Sequence, residues 1–173
     1  MPRTQIRAAL TEFFLNQAIP YVGTVYPARA YLKEQDYEQN AMSFYTQSIN
    51  GSGCVLVINL PKDDRVREAM SGRGAVNDKW VHPVDLELFF ANTSGDPVVA
   101  QVEYDQSVDA MVIAIRSNPL LGDPQDVWSA GEFEYGVRHR QSQPFTGEDG
   151  LTVFIYGVVS CEVWEWIAGP VPQ

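Results

Sequence analysis

Few side chains in this sequence have both the type and the spacing that chemistry needs. Its two histidines, His82 and His139, and its two cysteines, Cys54 and Cys161, are the right types for a four-ligand zinc site. None stands in a C-x-x-C or H-x-x-x-H spacing, so a metal centre is not expected. His82 falls on the apolar parity of its strand, which fits a hydrogen-bonded core or edge histidine. Both cysteines lie in apolar, strand-like runs and read as buried free thiols. A Cys54–Cys161 bridge would require their strands to be neighbours. There is no G-x-S-x-G elbow, although triad partners can also meet only in space. Gly72 and Gly74 sit in a charged stretch and not at a strand–helix junction, so they make no phosphate loop. Glu132 and Glu134 share one strand face and could form an acid–base couple, but a solvated polar face accounts for them better. No catalytic residue, cofactor or metal ligand is expected, and an enzyme is the minor reading.

Residues suited to contact are more plentiful than residues suited to catalysis. Trp164 and Trp166 share one face of a strand, flanked by Glu162 and Glu165. They fit either core packing or a subunit interface, where tryptophan is favoured. That strand is apolar on both faces, which tilts the reading toward an interface. The segment Lys62–Lys79 carries five basic residues, Lys62, Arg65, Arg67, Arg73 and Lys79, with four acidic ones. It separates two strong strands and reads as a long charged loop or hairpin arm, a kind of segment that tends to be functional or disordered.

The elements that must position these residues follow from periodicity. Trp80, Val84, Leu86, Leu88 and Phe90 share one parity, and Asp85 and Glu87 share the other. This alternation places one strand face in a core and the other in water. After the turn Asn92–Pro97 the period changes, and Tyr104, Val108, Met111, Val112 and Ile115 mark one face of a helix ending at Asn118–Pro119. Folded back on the strand, that helix makes a two-layer core. Ile6, Ala9, Leu10, Phe13 and Phe14 mark an earlier amphipathic helix, with Thr4 as its N-cap and an end before Pro20. Tyr21–Tyr26 reads as a short extended run, and Tyr31–Gln47 fits either a weak helix or a docked irregular loop. Cys54–Leu60 is apolar on both parities and reads as a buried strand. Glu132–Arg140 alternates again, with His139 on the side of Phe133, Tyr135 and Val137. Leu151–Ile167 is the longest strand-prone run, and Gly157 within it permits a bend or a close approach. The fold class expected is α+β: a mixed, mainly antiparallel sheet with two helices packed on one face.

The chain has 173 residues and 45% hydrophobic content, enough for one domain with a sizeable core. No run is long enough for a membrane span, and Arg7 and Glu12 interrupt any signal-like start. Net charge is -10 and is unevenly placed. Residues 80–173 hold fourteen acidic side chains against Arg116, Arg138 and Arg140, a net of -11. Such a surface does not grip nucleic acid through phosphate neutralisation. It does suit a surface past which DNA slides without sticking.

Taken together, the order of elements resembles the tail terminator and neck protein family of long-tailed (siphovirus-type) bacteriophages. The segments carrying the likeness are Ile6–Phe14, Val25–Pro27, Cys54–Leu60, Val81–Phe90, Tyr104–Ile115 and Glu132–Trp166. Tyr31–Asn50 is longer than the family pattern. The resemblance implies one domain over 1–173, with an arm at 62–79 and a C-terminal tail at 169–173. It implies a virion protein, assembled in the host cytoplasm, that forms a homohexameric ring at the head-proximal end of the tail tube. The ring ends tube polymerisation and joins tail to head. Its partners would be itself, the tail tube protein, the head connector or stopper protein, and double-stranded DNA passing through the lumen. On this reading the basic arm, Trp164 and Trp166 form ring or tube contacts, and Glu132 and Glu134 face the channel. The rivals are another connector or tail tube subunit, and a small α+β enzyme or ligand-binding module.

Overall fold

The alternating run at Trp80–Phe90 builds the middle of the sheet. A computed structural model of the chain describes residues 3–30, 37–61, 77–118, 121, 128–131 and 137–168. In chain order the elements are α1 (Arg3–Asn16), β1 (Val22–Tyr26), α2 (Tyr37–Thr46), β2 (Ser52–Asn59) and β3 (Asn77–Asn92). Then come α3 (Pro97–Ser117), β4 (Trp128–Gly131), β5 (Arg138–Gln141), β6 (Phe145–Thr146) and β7 (Val153–Ala168). The sheet order is β1-β2-β3-β7-β4, with β5 and β6 also on the outer side of β7. β1 and β2 are parallel, and the other pairs are antiparallel. The fold is α+β with a mixed, mainly antiparallel sheet.

The two long strands β3 and β7 pair from Asn77↔Ala168 to Asn92↔Val153. The even positions of β3 and the odd positions of β7 form the first face. There Val84, Leu86, Leu88 and Phe90 meet Ile155, Val159, Cys161 and Val163. α1 and α3 close this face with Ile6, Leu10, Phe13 and Phe14, and with Tyr104, Val108, Met111 and Ile115. The two expected helices therefore share one face. α3 starts at Asp96, whose carboxylate accepts from the Val98 backbone N–H at 2.8 Å, with Pro97 in the first turn. Its C-cap is Asn118.

Gly157 gives the close approach its type suggested. A Cβ there would lie 1.6 Å from the Tyr104 hydroxyl oxygen, so only glycine leaves room for the buried tyrosine. That hydroxyl pairs with His139 Nε2 at 3.0 Å.

The second face departs from the sequence-based expectation. Tyr31–Gln47 contains a helix, α2, and it packs on the side where water was expected. Ala41, Met42 and Tyr45 of α2 cover Val55, Val57, Phe89, Tyr156 and Val158. An aromatic file runs Tyr26, Tyr45, Phe89, Tyr156 at centroid spacings of 5.2, 4.7 and 5.1 Å. The apolar middle of β7 is thus covered within its own subunit, not left for a partner. Glu87, expected in water, is 1% exposed. It survives there because the Arg29 guanidinium donates to both its oxygens, and the Tyr156 hydroxyl donates to it at 3.2 Å.

Three smaller expectations also change. Thr4 lies inside α1 and not at its cap. Glu132–Arg140 is not one continuous described strand: β4 ends at Gly131 and β5 begins at Arg138, and residues 132–136 lie outside the described ones. β3 begins at Asn77, so the last residues of the expected arm belong to the sheet. The rest of the arm, 62–76, and the tail, 169–173, lie outside the described residues.

Candidate interaction site

Simple lengths explain why the second face is unevenly covered. A sixteen-residue strand spans about 50 Å. α3, with 21 residues, spans about 30 Å, and α2, with 10, about 15 Å. α2 therefore cannot reach beyond the Phe89–Tyr156 half of the second face.

Past that limit the register lines up a different set of side chains. Asn59, Asp85, Ser160 and Arg138 stand in one row across β2, β3, β7 and β5. Pro83 pairs with Glu162, and Val81 with Trp164, in the rows beyond. Asn59, Val81, Pro83, Asp85, Ser160, Glu162 and Trp164 are all half-buried, and Arg138 is exposed. The Ser160 hydroxyl donates to Asp85 Oδ1 at 2.5 Å. The Trp164 indole N–H donates to Glu162 Oε2 at 2.9 Å. These hydrogen bonds hold the tryptophan ring and two carboxylates in fixed positions on a half-exposed surface. This is the mixture of aromatic area and satisfied polar groups that contact surfaces use.

Of the sequence-predicted contact residues, Trp164 lies on this surface. Trp166 continues the same parity of β7 and pairs in register with Lys79 of β3, which brings these two backbone positions together. Their side chains are not among those described. Lys62, Arg65, Arg67, Arg73, Glu132 and Glu134 lie outside the described residues. Sequence reasoning missed Arg29, Tyr156 and Ser160 as polar partners, because each is chosen by cross-strand register or by packing. One signal for the second covered face was present: Phe89 and Ala91 share parity with Asp85 and Glu87.

The catalytic candidates separate in space. β2 and β7 flank opposite sides of β3, with Cys54 opposite Phe90 and Cys161 opposite Val84, so the two thiols are not neighbours. Both are free and buried. Burial pushes the Cys161 thiol up to about 12, with Asp85 and Glu162 adding to the rise, and burial raises Cys54 as well. Neither is poised as a thiolate. His82 is buried on the first face. Asp85, Ser160 and His139 line one cleft of about 410 Å³. The register nevertheless puts His139 opposite Val159, on the first-face parity, where it holds Tyr104. Ser160 donates to Asp85 on the other face, so His139 is not the partner of that hydroxyl. Burial lowers the His139 pKa, opposed by Asp105 and Asp109.

No protein-family model matches the chain, and no curated protein matches it either. Among the described residues, no group of three or more His, Cys, Asp or Glu side chains could hold a metal ion. No described helix is long and apolar enough to cross a membrane.

Proposed function

We propose that this protein is a structural subunit of a bacteriophage tail–neck junction, forming a homohexameric ring that ends the tail tube and joins it to the head connector. The observation that supports this most is the half-covered second face, where a hydrogen-bonded tryptophan and two carboxylates lie beyond the reach of α2. Among the described residues no helix covers that half of the face, and a half-buried sheet surface of this kind is suited to completion by another protein surface. The net charge of -10 suits a passage for DNA that must not adhere. Among the described residues, Cys54, Cys161 and His82 are buried, and His139 lies on the opposite face from Ser160 and Asp85.

The test is a cryo-electron microscopy map of the assembled particle, together with tube elongation in the presence of the purified protein. A six-fold density at the head-proximal end of the tube, and arrested elongation, are the expected results. Incorporation along the whole tube would replace this reading with a tube subunit. Density on the head side alone would replace it with a stopper or head-completion role. Absence of the chain from the particle would end the proposal.

A further inference from the structure

The connection from α2 to β2 holds the single Asn-Gly pair of the sequence, Asn50-Gly51. Both residues are exposed. Among the described residues the Asn50 side chain has no hydrogen-bond partner and the Gly51 N–H donates to nothing. Only the Gly51 carbonyl is engaged, accepting from the Thr93 N–H at 3.0 Å. The space beside the Gly51 α-carbon is open, and its φ of +88° suits glycine. A backbone nitrogen with no Cβ beside it is the least hindered kind of amide nucleophile. The amide of Asn50 stands one residue before it, where attack closes a five-membered ring.

Three comparable sites are held. Asn92 is buried, and its amide donates to the Ser52 hydroxyl at 2.8 Å and to Glu103 at 2.6 Å. Asn118 donates to the Ala114 carbonyl at 2.8 Å and precedes Pro119, which has no N–H to attack with. Asp149-Gly150 is the nearest chemical equivalent, but its Gly150 N–H donates to the Gly147 carbonyl at 3.0 Å. The Asp149 carboxylate accepts from the Thr152 hydroxyl and from the Thr152 and Leu151 N–H groups, which holds its pKa below the ordinary value. An ionised carboxylate is a poor electrophile.

We propose that Asn50-Gly51 is a self-modification site whose reaction with water loosens α2 from the second face. The Gly51 nitrogen gives up its proton and bonds to Asn50 Cγ. The Cγ–Nδ2 bond breaks, and ammonia leaves with that proton. Water then adds to one of the two carbonyls of the cyclic imide. Opening at the side-chain carbonyl leaves aspartate at position 50. Opening at the main-chain carbonyl leaves isoaspartate, which adds one carbon to the main chain. That carbon falls between Ile49 and Ser52, where both ends are anchored. The Ile49 N–H donates to the Thr46 carbonyl at 3.0 Å, and Ile49 Cγ2 lies 2.9 Å from where a Cβ on Gly53 would stand. Ser52 is already paired with Asn92. Ile49 packs against the cluster that α2 builds on the second face. Lengthening the link displaces Ile49, and the ten-residue α2 is the element that gives. The reaction is independent of the ring assembly.

The test is peptide mapping by mass spectrometry of the folded full chain, aged in mildly alkaline water labelled with heavy oxygen. The peptide holding Asn50 should take up label and split into aspartyl and isoaspartyl forms, while those holding Asn92, Asn118 and Asp149 stay unchanged. Asn50→Gln should react at least about tenfold more slowly, because its imide ring is six-membered. An Asn50 peptide that stays unlabelled, or reacts no faster than the Asn92 peptide, overturns the proposal. Amide hydrogen exchange on the separated isoaspartyl chain reads the consequence: α2 should exchange faster, with β3 and β7 unchanged. A fresh Asn50→Asp chain carries the charge without the added carbon and should keep α2 protected. Equal protection of α2 in the isoaspartyl and wild-type chains, or equal loosening in Asn50→Asp, overturns the effect on α2.

Discussion

The two faces of one sheet solve the same burial problem differently. On the first face α1 and α3 together cover the strands as far as Val163, and the buried side chains are almost entirely apolar. On the second face the ten-residue α2 covers a smaller patch, and the polar groups of Glu87, Arg29 and Tyr156 close its border. Beyond that border the surface stays half-open. The first face is built for stability, since apolar burial is the dominant favourable term in folding. The second buries less, and leaves Asp85, Ser160, Glu162 and Trp164 half-exposed. The lesson is that alternation in a strand reports which face is most apolar, while helix length decides how much of the other face stays accessible.

The sharpest way to break this comparison is at the seam of the first face. Gly157→Ala places a Cβ 1.6 Å from the Tyr104 oxygen and 2.9 Å from its Cζ. Tyr104 must leave its pocket, and a loss of about 4 kcal/mol or more is expected. Adding Tyr104→Phe should recover only part of it, because the ring carbon still crowds the new methyl. Thermal denaturation of the two variants checks both statements.

Truncation on each face should differ in extent as well as size. Phe90→Ala on the first face should cost about 3–5 kcal/mol and destabilise the whole unit. Met42→Ala in α2 should cost about 2–3 kcal/mol and act locally, opening α2 before the β3–β7 ladder. Amide hydrogen exchange separates the two. Equal protection losses in α2 and α3 in both variants would contradict the division of roles.

The polar border of the second face comes next. Arg29 is 42% exposed while its partner Glu87 is 1% exposed. Arg29→Ala leaves a buried carboxylate with only the Tyr156 hydroxyl. The expected cost is about 2–3 kcal/mol, below the value for a fully enclosed pair because water reaches the arginine side. The double variant Arg29→Met/Glu87→Leu should be markedly more stable than Arg29→Ala, by denaturant titration.

The smallest effect concerns pH. The folded His139 pKa lies below its ordinary value near 6.5, because burial disfavours the imidazolium beside Tyr104. The folded state therefore binds a proton less readily than the unfolded chain. The stability this provides is full above about pH 6.5 and is lost as pH falls through the lower folded value. His139→Gln should flatten that part of the stability curve between wild type and variant, leaving the acid loss due to carboxylates.

Much of the fold was legible in the residues. Ile6–Phe14 and Tyr104–Ile115 show the helical period, Cys54–Leu60 and Leu151–Ile167 show strands, and Gly157 marks a close approach. Each follows from local chemistry, because period, turn residues and glycine act over a few neighbours. Asp96-Pro97 was an unread helix start of the same local kind. What tertiary structure alone decided is the fate of the second face. Glu87 stands between two leucines and shares its parity with the half-buried Asp85, and nothing nearby in sequence says that Arg29 and Tyr156 meet it. Those partners arrive from 58 and 69 residues away. The row Asp85, Ser160, Arg138 likewise exists only through the register of three strands. Periodicity fixes which way a side chain points; only packing fixes what it meets, because the partner is chosen by the path of the chain through space.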